Sequence, residues 1–309
     1  MSEDILKMQT PEVPVITIER DDDTAATLPA TATGNATISQ RRLWLRRLLK
    51  VAVLTGIVAA LLVAFKFVKY YYMIGVPTSV SPKENIAKLQ ATVKTTVPEV
   101  IMTSDSILGV GLNFYELRGL QGAIEFKKPT VADSSVYLFT RCADYSVDHK
   151  YLGSLVAEGK EFQSDRSRLG YMGMADGNMV IGIARSDAVK DYVKERGGSF
   201  FRQFILVSDG VLPPKFHLHG KVERRAIGRK GDALYYIATR HKETMWDFAD
   251  ALREYGFIDA IYITGGDILN FYRDRDKQAH AIGNSDITLT DTVPNSPAGT
   301  WLVLRPTKQ

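Results

Sequence analysis

Hydrophobic and polar positions along this 309-residue chain fall into three regimes. Over the first forty residues, "MSEDILKMQTPEVPVITIERDDDTAATLPATATGNATISQ", apolar side chains follow neither a helical nor a strand period. Too little apolar surface is present there to offset the entropy of ordering, so the pattern predicts a disordered, acidic tail over residues 1–40. The second regime, "RRLWLRRLLKVAVLTGIVAALLVAFKFVKYYY", carries no charge from Val51 to Phe65. Counted from Leu48 to Val68 as a helix, it is about 31 Å long, enough to cross a hydrocarbon core if Lys50 and Lys66 snorkel outward. Residues 41–74 are therefore expected to form a basic flank and a single membrane anchor.

The third regime, from residue 75 onward, alternates between short β-like runs and a few helical ones. "SPKENIAKLQATVKTTV" (81–97) offers Ser81 as a cap and Pro82 at the first helical position, so residues 75–98 read as a linker with a short helix. Runs rich in β-branched and aromatic residues follow at 99–104, 110–117, 121–128, 134–141, 178–184, 200–207, 215–228, 233–239, 259–264 and 301–305. Helical periods interrupt them at 186–198 and 243–256; the latter has Thr244 and Asp247 in near capping-box spacing and stops at Gly256. Many strands with few, irregularly placed helices predict an α+β class: one mixed, strand-rich external domain over residues 99–309.

Charge and cysteine content sharpen this picture. The tail holds seven acids against Lys7 and Arg20, while Arg41, Arg42, Arg46, Arg47 and Lys50 crowd the start of the apolar run. Only Lys66 and Lys69 follow it closely, so the positive-inside bias places the N-terminus in the cytoplasm and the main domain outside. In that orientation the Asn35-Ala36-Thr37 triplet is a chance match to a glycosylation acceptor. The tail and flanks account for +2 of the net +4, leaving the external domain nearly neutral, so no nucleic-acid partner is expected. Cys142 is the chain's one cysteine, which excludes an internal disulfide. Gly56 and Ala60 have small-xxx-small spacing, common in membrane helices and uninformative about oligomeric state.

Candidate chemistry concentrates between Glu223 and Asp267: strand, "GRKGDA" turn, strand, helix, strand, then Gly265-Gly266. Paired glycines at a strand end permit close backbone approach to a ligand, or mark a tight turn. Asp267 fits either a site carboxylate or a turn residue. "HLH" (217–219) puts two imidazoles on one strand face, but no third or fourth metal ligand is evident nearby, so solvent-facing histidines are the reading and no metal is expected. Tyr115 and Tyr262 suit either sugar stacking or strand burial.

The block "ERRAIGRKGDALYYIATRHKETMWDFADALREYGFIDAIYITGGD" resembles the C-terminal part of the phosphodiester glycosidase family. Its pattern there is R-T-A-I-G, a D-G turn, strand, helix, L-G, then A-L-N-L-D-G-G-G-S. Arg224, Ala226, Ile227 and Gly228 match the first motif, and Ala260, Gly265 and Gly266 the last. "FILVSDG" (204–210) is similar to the family's L-V-x-D-G turn, and "YLGSLVAEGKE" (151–161) to the segment after its N-G-G-F-F motif. The likeness covers about residues 134–270. It departs at Thr264, which stands where the family has aspartate, at Asp267 and Ile268 for its glycine and serine, at Arg225 for its threonine, and at "RCADY" (141–145) for N-G-G-F-F.

The apolar run predicts an envelope protein of bacterial type anchored in the inner membrane; the resemblance implies that its external domain hydrolyses or binds a sugar-1-phosphodiester glycan, and no cofactor or metal is expected. Arg224 is expected to clamp phosphate, with Asp267 or Asp209 (or Glu223) supplying a carboxylate. Arg225, Thr264, Gly265, Gly266 and Cys142 are expected to line the substrate. The alternative is a catalytically inactive relative, serving as a carbohydrate-binding or envelope-assembly module in contact with the lipid bilayer.

Overall fold

The computed structural model describes residues 35–71, 76–93, 96–144, 146, 150–214, 216, 219–265, 270–282 and 299–308. The first element, helix α1 (Asn35–Tyr71), contains a span of 30 residues, Gln40–Lys69, whose most apolar 18-residue stretch has mean hydropathy 2.5 and no buried residue. At about 1.5 Å per residue it exceeds the roughly 30 Å of a hydrocarbon core, so by length and composition it suffices to cross a membrane. The helix starts at Asn35, inside the segment whose composition predicts disorder. The Asn35-Ala36-Thr37 triplet therefore lies within helix.

Beyond α1 the described residues form an α+β body of three antiparallel sheets and three helices. Helix α2 (Pro82–Gln90) begins as its sequence predicts. Ser81 Oγ accepts from Glu84 N at 3.2 Å, and Glu84 returns a bond to Ser81 N at 2.7 Å. It ends at Gln90, seven residues short of the predicted boundary. Helix α3 is Ala188–Glu195, and α4 (Met245–Glu254) is capped by Thr244, whose Oγ1 accepts from Asp247 N at 3.0 Å.

The largest sheet orders its six strands β1 (Glu99–Ile107), β2 (Val110–Arg118), β12 (Ala233–Thr239), β11 (Arg225–Lys230), β13 (Asp259–Ile263) and β10 (Ile205–Ser208). A second sheet contains β3 (Leu120–Glu125), β4 (Leu138–Arg141), β14 (Asn270–Arg273), β15 (Ala279–Ile282) and β16 (Trp301–Pro306). The third contains β5 (Leu155–Ala157), β6 (Lys160–Gln163), β7 (Gly170–Ala175), β8 (Asn178–Ile183) and β9 (Ser199–Gln203). One apolar cluster joins all three, through Tyr115, Ile227 and Ile261 of the first, Leu138 and Leu302 of the second, and Met172 and Phe201 of the third. The opposite face of the six-stranded sheet is covered by α4, whose Phe248, Ala249 and Leu252 pack on Ala226, Ala260 and Tyr262. Alternation along β11 and β13 thus splits two apolar faces. Odd residues Ile227, Ile261 and Ile263 point into the inter-sheet core, and even residues Ala226, Ala260 and Tyr262 point toward α4.

Two predicted elements differ in detail. The run 200–207 is two strands in different sheets, β9 and β10, with Phe204 between them and its carbonyl accepting from Tyr262 N at 2.8 Å. Among the described residues of the run 215–228, strand begins at Arg225 with β11.

The stretch from Val76 to Val80 is fastened to the body at the start of β13. Ser79 Oγ reaches both oxygens of Asp259, at 2.5 and 2.6 Å, and Arg229 pairs with the same carboxylate at 2.5 Å. Ser208 Oγ donates to Pro77 O at 2.7 Å and Arg185 to Val76 O at 2.9 Å. Asp259 is buried, so its charge is sustained by these partners. Asp259→Ala is expected to leave Arg229 without its carboxylate and to lower unfolding free energy by about 3 kcal/mol in urea titrations of the purified protein.

Candidate functional site

The antiparallel register of β11 with β13 decides which residues meet. Arg225 lies opposite Ile263, so Glu223 and Arg224, just before β11, sit beside Thr264 and Gly265, just after β13. A Cβ on Gly265 would stand 2.3 Å from the Glu223 carbonyl oxygen and 2.9 Å from the Tyr262 hydroxyl. Glycine is thus required there by the neighbouring backbone, before any ligand is considered. The Gly265 N–H donates to Tyr262 Oη at 3.0 Å. The Arg224 guanidinium faces the same hydroxyl, and burial, followed by the nearby Asp144 charge, pushes the Tyr262 phenol upward from its ordinary pKa.

Neither arginine has the free fork that a phosphate clamp needs. Arg224 is buried; its Nε donates to Glu243 O at 3.0 Å and its Nη2 to Gly220 O at 2.7 Å. It ties the connection between Gly220 and Glu223 to the entry of α4. Arg225 faces the inter-sheet core, fully buried, pairing with Glu223 Oε2 at 3.4 Å and donating to Thr264 O at 3.4 Å. Burying guanidinium ions is tolerable only with such partners, so both arginines are committed to holding the two strand ends together.

Beside Glu223, a candidate from the sequence, the structure places a second carboxylate that the sequence analysis did not single out. Asp144 follows β4 and is half-buried; its Oδ1 accepts from Thr264 Oγ1 at 2.8 Å and its Oδ2 from Gln203 Nε2 at 3.0 Å. Thr264 and Glu223 belong to the end of the six-stranded sheet, Asp144 to the segment leaving the second sheet, and Gln203 to the last position of β9 in the third. All three sheets therefore supply one polar cluster, which presents two carboxylates, Asp144 and Glu223, held by donors on different elements. The signal for Asp144 was the acid within "RCADY" (141–145).

The other expected site residues lie elsewhere. Asp209 is in an exposed turn with φ 51°, beside the start of β13, where its N–H donates to Asp259 at 3.3 Å. Five residues of β13, about 16 Å of strand, separate it from Thr264, so it does not join the cluster. Cys142 is fully buried in the inter-sheet core, its thiol 3.7 Å from Thr300 O and pushed by burial to about 12; it offers neither a nucleophile nor a ligand contact. Tyr115 is buried against Tyr236 and Tyr272, at ring distances of 5.5 and 4.8 Å, and is unavailable for stacking. Gly266, Asp267 and His217 lie outside the described residues, while His219 is exposed. Among the described residues no group of three or more His, Cys, Asp or Glu is arranged to hold a metal. A separate cleft of about 440 Å³, lined by Asn85, Lys88, Leu117, Met179, Arg229 and Leu234, lies toward the opposite ends of β11 and β13.

No protein-family model and no curated protein matches the sequence. Among solved structures, the zebrafish N-acetylglucosamine-1-phosphodiester alpha-N-acetylglucosaminidase catalytic domain, auto-inhibited by its pro-peptide, is similar over 69% of this chain and 85% of its own, with TM-score 0.49 and 12% identity. A hypothetical protein from Synechocystis is similar over 66% of this chain and 61% of its own, with TM-score 0.49 and 9% identity. Likeness at this level is one of overall course and does not extend to individual residues.

Gly265→Ala is expected to force the ends of β11 and β13 apart, costing about 1–3 kcal/mol of stability, as overpacking typically does. Thermal unfolding monitored by circular dichroism provides the measurement.

Proposed function

We propose that the external domain acts on a sugar-1-phosphodiester, with Asp144 supplying the carboxylate. The observation that carries this reading is the 2.8 Å bond between Asp144 and Thr264. The resembled family has asparagine in the first segment and aspartate in the second; this chain has the acid in the first and a hydroxyl in the second. In this chain the two segments meet as one carboxylate and one neutral hydrogen-bonding partner.

The chemistry asked of such a pair is modest, because phosphate is already a good leaving group. Water bonds to the anomeric carbon as the carbon–oxygen bond to phosphate breaks. The electron pair leaves on a phosphate monoester anion, and the water's proton passes to the Asp144 carboxylate. Thr264 and Gln203 fix the orientation of Asp144, while Arg224, Arg225 and Tyr262 hold the strand ends that position Thr264. Helix α1 anchors this domain, with the N-terminus cytoplasmic and the body on the periplasmic or outer side.

A second reading, a carbohydrate-binding module without turnover, draws on the commitment of Arg224 to two backbone carbonyls, which leaves phosphate without the expected clamp. One experiment separates the two. Detergent-purified protein is assayed for sugar release from UDP-linked sugars, with binding followed by calorimetry. Hydrolysis is expected, and Asp144→Asn should lower kcat/KM by about 10²–10⁴-fold while binding persists. Binding with no turnover in the native protein selects the second reading, and turnover indifferent to Asp144→Asn removes Asp144 from the chemistry.

A further inference from the structure

The start of α1 is densely cationic. Within ten residues it carries Arg41, Arg42, Arg46, Arg47 and Lys50, all exposed, and α1 contains no acid from Asn35 to Tyr71. At 100° per residue, Arg42, Arg46 and Lys50 fall within an arc of about 80°, and Arg47 extends that arc to about 140°. Trp44, Leu45 and Leu48 occupy the opposite side. Arg41 alone of the five cations lies among them.

The axial dimension fits a lipid headgroup layer. From Arg41 to Lys50 the helix rises about 14 Å, beginning beyond the uncharged run and ending at its edge. The headgroup region of one leaflet is roughly 5–8 Å deep, so the cations span its full depth and continue about as far again toward the aqueous side. Trp44 sits at the level where amphipathic rings prefer the interface. The other end of the span has only Lys66 and Lys69, followed by aromatic residues.

We propose that this face of α1 is a binding surface for anionic phospholipid: its arginines and Lys50 gather lipid phosphates into the leaflet around the anchor. Guanidinium groups suit the task because each receives a phosphate through two parallel N–H donors. The seven carboxylates of the N-terminal forty residues are the chain's own competitors for these cations, so the preference must be measured on the full chain.

The full chain is reconstituted in phosphatidylcholine nanodiscs containing one phosphatidylglycerol in ten lipids, and retained lipid is counted by native mass spectrometry. Phosphatidylglycerol is expected to be enriched several-fold over its bulk fraction, with the enrichment falling as salt rises. Substituting Arg42, Arg46, Arg47 and Lys50 together by Gln should abolish it. The Lys66→Gln/Lys69→Gln protein, altered at the other end of the span, should retain it. Equal retention of the two lipids by the native chain overturns the proposal, as does enrichment that survives the fourfold substitution. Release of the chain from membranes by alkaline carbonate would instead refute the anchor on which this inference rests.

Discussion

The close seating of the Glu223 carbonyl on Gly265 is the contact on which the rest of the polar cluster depends. It exists because β11 and β13 pair in the register that sets Arg225 opposite Ile263, and because position 265 has no side chain to hold the strands apart. From that contact follow the Tyr262 hydroxyl between Arg224 and the Gly265 N–H, the bond from Arg225 to the Thr264 carbonyl, and the outward placement of the Thr264 hydroxyl toward Asp144. A single missing Cβ thus joins the strand ends to the segment bearing the acid.

The division of labour among charged groups follows from solvation. Arg224 and Arg225 lie where water cannot reach them, so each must be satisfied by protein oxygens, and each is. A guanidinium held in this way gives rigidity to a site and little freedom to grip a ligand. Asp144 and Thr264 are only half-buried and remain within reach of one. This contrast favours Asp144 over either arginine as the group that meets substrate in the proposed reaction.

Much of the fold was legible because local chemistry and tertiary structure agree. Ser81, Pro82 and Thr244 start their helices where capping requires, and β12 occupies residues 233–239 as its β-branched and aromatic content predicts. Strand β7, "GYMGMA", was missed because every residue is buried, leaving no alternation to read, while Gly, Met and Ala carry weak strand preference. The run 200–207 reads as continuous because nothing local marks Phe204 as the point where the chain changes sheets. For the site, the proximity of the "RRAIG" strand to the end of "YIT" was legible, but the burial of its arginines was not. Asp144 and Gln203 escaped for a different reason: their partners lie 120 and 59 residues away in sequence, beyond any local pattern.

The fold therefore gathers one acid-bearing cluster from the ends of three sheets, at the far end of β13 from the segment Val76–Val80. The most direct measurement is a crystal structure of the protein soaked with a hexose 1-phosphate. The account predicts sugar density with an oxygen within about 3 Å of the Asp144 carboxylate and contacts to Thr264. Sugar phosphate seated in the cleft beside Lys88 and Met179, with Asp144 and Thr264 untouched, would contradict it.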